Sequence, residues 1–159
     1  MSLERSLLAA QGYIELEMTD EALEELDAIA QKEQHREEVL QMRLFVYMRA
    51  RRWDEALLVC RDLRKYAPEC TTGYIHGAFC LHEMGRTKEA KDLLLDGPPM
   101  LHGEPTYHYN LGCYDAVLGN AEEAVRHLEI SFKMDRKFRE IAKYDPDLKP
   151  VQSLSLIHI

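Results

Sequence analysis

"RRWDEALLVC", residues 51–60, sets the chain's only tryptophan, Trp53, three residues ahead of a small Ala56. Taken alone the stretch reads equally as a site or as architecture. Three relatives of it within the same chain decide between them: "MTDEALEEL" carries Ala22, "RTKEAKDLL" carries Ala90 and "NAEEAVRHL" carries Ala124. The four alanines stand at 22, 56, 90 and 124, thirty-four residues apart each time. A reactive site is rarely written four times at a fixed interval, whereas a unit that stacks on copies of itself recurs in this way.

Blocks starting near 3, 37, 71 and 105 superimpose on this period without a gap. In each, an apolar segment of roughly fifteen residues precedes a short break and a second, amphipathic segment. The breaks hold Thr19-Asp20, Arg52-Trp53-Asp54, Gly85-Arg86-Thr87 and Gly119-Asn120. Gly85 and Gly119 suit the left-handed residue that ends a helix, and the polar residues after them are expected to cap the next one. Pro68 closes the second block, and Pro105 opens the fourth at a position where a helix tolerates proline. Alternating β-branched runs are absent from the sequence, and its Asp96-Gly97 runs into two prolines rather than joining two such runs, so strands are not expected. Each block therefore reads as a hairpin of helix A and helix B. The recurring alanine, together with Ala10, Ala78 and Gly112 on the A helices, lets the pair approach closely, while Leu44 departs from that pattern. Leu26, Cys60, Leu94 and Leu128 are expected on the buried face of the B helices, and Trp53 across the A–B corner.

The composition, 46% apolar and 30% charged over 159 residues, suits one compact domain. Twenty basic against 28 acidic residues give a formal charge of −8, the wrong field for a polyphosphate ligand, so nucleic acid is not an expected partner. No stretch approaches the ~20 apolar residues of a membrane-spanning helix, and no membrane role is expected. Glu4 and Arg5 interrupt the N-terminus, which does not read as a secretory signal. Cys60, Cys70, Cys80 and Cys113 form no C-x-x-C pair; reduced thiols in a cytoplasm are the simplest reading.

On these residues the sequence resembles a tetratricopeptide-repeat protein over roughly residues 3–136. "YNLGCYDAVLGNAEEAVRHLEISF" (109–132) follows the family pattern of Tyr-Asn-Leu-Gly, Leu-Gly and Glu-Ala, and "LFVYMRARRWDEALLVCRDLRKYAP" (44–68) follows it down to Pro68. The resemblance implies an all-α fold: a right-handed superhelical stack of four hairpins (3–36, 37–70, 71–104 and 105–136) closed by a C-terminal capping segment. "DGPPMLHGEP" (96–105) truncates the third B helix and is expected to form an irregular loop, because Gly97-Pro98-Pro99 cannot continue a helix. Asp145-Pro146-Asp147 reads as an N-cap, a first-turn proline and a favourable acid. Residues 137–152 read as the cap, with Phe138, Ile141, Leu148 and Val151 covering the last apolar face. Residues 153–159, "SLSLIHI", read as a disordered or vector-derived tail.

Constellations for chemistry are weak. His76 and Cys80 share one helix face, but no further framework completes the three or four ligands of a zinc site, so no metal or cofactor is expected. Cys113 near His108 or His127 lacks a third group to orient a base. Paired acids such as Glu24-Glu25 read as solvated faces. No catalytic residues emerge, and the chain does not read as an enzyme.

In the tetratricopeptide family the A helices line a concave groove that binds peptides or partner helices. The resemblance places Leu7, Gln11 and Ile14 there from the first block, then Gln41, Phe45 and Arg49, Ile75, Phe79 and Glu83, and finally Tyr109, Asn110 and Cys113. The spacings 41-45-49 and 75-79-83 do share one helix face. A carboxylate clamp of the kind some family members carry is not expected, because the matching basic places hold Leu7, Thr72 or Thr106, and His76. The expected function is a non-enzymatic protein-interaction module that takes an apolar peptide or helix. The alternative is a homo-oligomeric scaffold, such as a homodimer, that self-associates through the same strip or the loop 97–104.

Overall fold

The computed structural model describes residues 2–153; most of the stretch read as a tail lies outside the described residues. Among these residues the chain is all-helical, with no strand. The α-helices are α1 (Leu3–Glu15), α2 (Thr19–Asp27), α3 (Glu37–Arg49), α4 (Trp53–Tyr66), α5 (Thr72–Glu83), α6 (Thr87–Leu95), α7 (Pro105–Val117), α8 (Ala121–Met134) and α9 (Lys137–Tyr144). They fall into two compact units, residues up to Cys80 and residues from Leu81, the division lying within α5.

The N-terminal unit pairs α1 with α2 and α3 with α4. One core cluster joins Ala10 and Ile14 of α1 to Ala22 and Leu26 of α2 and to Val39 and Val46 of α3. A second joins Leu40 and Leu44 to Ala56, Val59, Cys60 and Leu63 of α4 and to Cys80. In the C-terminal unit α7 is the centre. Every residue from Tyr107 to Ala116 is buried except Asn110, as expected of a helix surrounded on all sides. It packs against α6, against α8 and against the C-terminal segment.

The 34-residue register is visible in burial. Ala22, Ala56, Ala90 and Ala124 are fully buried, as are Leu26, Cys60 and Leu128, with Leu94 at 1% exposure. Gly112 shows why a small residue recurs on the A helices: a Cβ there would lie 2.7 Å from Leu128 Cγ.

The helix ends follow one scheme. Residues 17, 51, 85 and 119 all have positive φ, between 58° and 87°. The next residue's N–H, from Met18, Arg52, Arg86 and Asn120, donates back to the carbonyls of Tyr13, Tyr47, Leu81 and Asp115 at 2.8–2.9 Å. This six-to-one bond, with the five-to-two bonds from Glu17, Arg51, Gly85 and Gly119, makes a Schellman turn at each corner. The side-chain caps expected after Gly85 and Gly119 do not form: Arg86 and Asn120 make no capping bond, and neither do Met18 and Arg52 at the other two corners. Asn120 instead donates to Asp115 Oδ1 at 3.0 Å. The backbone of the preceding turn fixes the entry angle, which leaves the side chain at that position free for other contacts.

Two further expectations are corrected. The segment 97–104 is not irregular but holds a 3₁₀ turn, Pro99–Gly103, with Leu101 fully buried. The two prolines preset helical φ, and the apolar Leu101 anchors the turn. Ile141 is 46% exposed and the adjacent Ala142 is buried in its place. After α9 the chain forms another 3₁₀ turn, Pro146–Val151, whose N-cap Asp145 accepts the Asp147 N–H at 3.0 Å as its sequence suggested. Leu148 and Val151 are fully buried. Trp53 opens α4 and is half-buried, its ring edge-on to Phe79 with 5.7 Å between centroids.

Candidate functional site

Within the N-terminal unit, the face of α3 carrying Gln41, Phe45 and Arg49 borders a hollow of about 280 Å³. Leu44 and Met48 line it from the same helix, and Thr72 and His76 line it from α5. The i, i+4 spacing on α3 and again between Thr72 and His76 is what brings each set to one side. Phe45 is 44% exposed although it is one of only four phenylalanines.

The walls are tied by polar contacts. The Gln41 side-chain amide donates to Thr72 Oγ1 and to Cys70 Sγ, both at 3.3 Å. Met48 Sδ lies 3.5 Å from Cys80 Sγ, which holds the thioether against the core. The Arg49 guanidinium stands 5.9 Å from the Phe45 ring centroid, within cation–π range. The His76 ring is open to solvent on one side yet crowded enough that desolvation lowers its pKa, so it is neutral at pH 7. Arg49 also borders a second hollow of about 260 Å³, with Ile14, Glu17, Thr19 and Val46. A third, of about 300 Å³, is crossed by Arg43, which binds Asp27 and Gln34 at 2.8 Å each.

The remaining groove positions are placed as follows. Leu7 and Gln11 are half-buried on α1. Ile75 is 7% exposed and belongs to the interior, and Phe79 packs on Trp53. Glu83 is exposed and Asn110 half-buried. Tyr109 and Cys113 are buried, because the C-terminal segment of the chain lies on their helix. The Tyr109 hydroxyl donates to Asp145 Oδ2 at 2.6 Å, its ring rests 4.9 Å from that of Phe138, and Cys113 Sγ is 3.6 Å from the same carboxylate oxygen. Burial, and then the neighbouring carboxylates of Asp145 and Asp147, push the Cys113 thiol well above its ordinary pKa, so it is protonated and a poor nucleophile. Burial likewise raises Tyr109.

Cys113, Asp145 and Asp147 offer ligand atoms within 4.8 Å of one another. Their contacts are already made within the segment: Asp145 caps the 3₁₀ turn and accepts from Tyr109, while Asp147 Oδ2 meets His82 Nε2 at 2.8 Å. Sequence spacing could not find this group, since its members are brought together by tertiary packing. It also missed the buried Asp115, held by Lys91 Nζ at 2.7 Å and Asn120 Nδ2 at 3.0 Å, with His127 Nε2 at 3.5 Å. Thr72 was legible only as a place without a cation and His76 as that or as half of a metal pair with Cys80; their role as a wall requires the contact between helices.

No helix among the described residues is long and apolar enough to cross a membrane. No family model matches the sequence, and no curated protein matches it. Solved structures do. "MamA MSR-1 C2" is 18% identical, with a TM-score of 0.70 over 87% of this chain and 79% of that one. "MamA RS-1 ArsTM double mutant" is 14% identical, with a TM-score of 0.76 over 98% of this chain and 92% of that one. At such identities the likeness is one of fold, an all-helical arrangement.

Proposed function

We propose that the chain is a non-catalytic protein-interaction module of the tetratricopeptide type, built of four repeats over residues 3–136 and a cap over 137–152. Its binding site is the hollow between α3 and α5, and its ligand is an apolar peptide segment or helix of a partner protein. The observation that carries this reading is Phe45, 44% exposed above the apolar hollow it shares with Leu44 and Met48. An aromatic side chain at the rim of an apolar pocket gains about 25 cal/mol for each Å² that a partner covers, and such residues dominate interface energies. Gln41 and Arg49 supply the polar rim that orients a bound segment. The four free thiols fit a reducing compartment, the cytoplasm.

The test is capture of partners from source lysate on the wild-type chain and on Phe45→Glu. Phe79 is left intact, because its packing on Trp53 would confound the comparison. A protein that binds the wild type and is lost from a Phe45→Glu chain with unchanged helical circular dichroism supports the site. Identical captures on both chains would remove it.

A further inference from the structure

We infer that the segment bound in this hollow carries a carboxylate side chain beside its apolar anchor, and that Arg49 receives it. The inference rests on the groove reading above and adds the chemistry of the ligand.

Arg49 is the one charged residue lining the hollow at neutral pH, since His76 is held neutral. Among the described residues it makes no ion pair. Arg36, Arg43, Arg52, Arg86 and Arg126 are each matched with an acid, whereas Arg5, Arg51, Arg61, Arg64, Arg136 and Arg139 share with Arg49 the lack of one; what sets Arg49 apart is its place at the rim of the apolar hollow. Glu17 borders the neighbouring hollow with Arg49 but does not reach ion-pair distance. The guanidinium instead stands 5.9 Å from the centroid of the exposed Phe45 ring, at the outer edge of cation–π range.

A guanidinium so placed can accept a carboxylate through two parallel N–H donors, and the contact strengthens as the ligand excludes water from the hollow. A lysine on the ligand would meet like charge there, and a neutral amide would gain only ordinary hydrogen bonds. Geometry sets the spacing. With 5.9 Å between the guanidinium and the ring centroid, a carboxylate on Arg49 and an anchor beside Phe45 belong to neighbouring places on the same ligand segment. That corresponds to about two residues along an extended segment or to the i+3 or i+4 place on a helix.

The experiment uses fluorescein-labelled, acetylated and amidated peptides with a fixed central leucine, and glutamate, glutamine or lysine two or four places after it. Amidation removes the terminal carboxylate, so only the side chain is read. Anisotropy is measured on the full chain, on Arg49→Gln and on Phe45→Glu, at low salt and at about 0.15 M salt. Glutamate peptides are expected to bind about fivefold tighter than their glutamine counterparts at low salt, with lysine peptides weakest. That advantage should shrink with salt and vanish in Arg49→Gln, while Phe45→Glu loses all three. Equal binding of glutamate and glutamine peptides, or a preference for lysine, overturns the carboxylate assignment and leaves the groove standing if Phe45→Glu still abolishes binding. Failure of every peptide on the wild-type chain, or binding indifferent to Phe45→Glu, overturns both.

Discussion

Two residues carry backbone strain that their repeat counterparts avoid. Positions 17, 51, 85 and 119 occupy the same place in successive hairpins, and all four adopt the left-handed conformation that closes a Schellman turn. Glycine stands at 85 and 119, but Glu17 and Arg51 hold φ of 59° and 58° with a Cβ in place. For an L-residue this costs about 1 kcal/mol. Glu17→Gly and Arg51→Gly are each expected to raise stability by about 0.5–1 kcal/mol in urea titrations, the gain being reduced by glycine's greater freedom in the unfolded chain. Gly119→Ala should lower it by about 1 kcal/mol, since φ at that residue is 87°. The sequence announced this conformation only where glycine stands. At 17 and 51 the period carries the information and the residue conceals it, because a charged exposed side chain looks like any other surface position.

At the scale of elements, the C-terminal segment is the part that spacing described least well. Asp145-Pro146-Asp147 was readable as a helix start, because a cap is a local bond between an Asp side chain and the N–H two residues on. That the same Asp145 would accept the Tyr109 hydroxyl 36 residues away was not readable, since no periodicity encodes which side of α7 the returning chain meets. For the same reason Tyr109 and Cys113, drawn as groove positions from the repeat register, are buried beneath the segment, and the open hollow lies on α3 and α5 instead. The pattern on α3 was readable because 41, 45 and 49 are i, i+4 neighbours on a single helix. Leu148 is the apolar anchor of the segment and is fully buried. Leu148→Ala is expected to cost about 2–4 kcal/mol in chemical denaturation. It should also speed labelling of Cys113 by a thiol reagent under native conditions, because the segment that shields this thiol loses its main apolar contact.

At the scale of the molecule, each unit contains one histidine whose burial depresses its pKa: His76 in the N-terminal unit and His127 in the C-terminal one. For His127 desolvation is the largest influence, opposed by the carboxylate of Asp115 and reinforced by His108. Both rings are neutral in the folded chain at pH 7, whereas in the unfolded chain they protonate at about pH 6.5. Below that value the unfolded state binds more protons than the folded one, so stability falls as pH drops through the unfolded pKa toward the lower folded values. Above it the two states are equally deprotonated at these sites, and the slope disappears. Urea midpoints are therefore expected to be lower at about pH 5.5 than at about pH 7.5, with His127→Gln reducing the difference seen by circular dichroism. Trp53, the only tryptophan, lies in the N-terminal unit, so its fluorescence reads that unit and should show a weaker acid dependence in His76→Gln. A stability that rises on acidification, or a slope indifferent to both substitutions, would mean that other groups govern the response to pH.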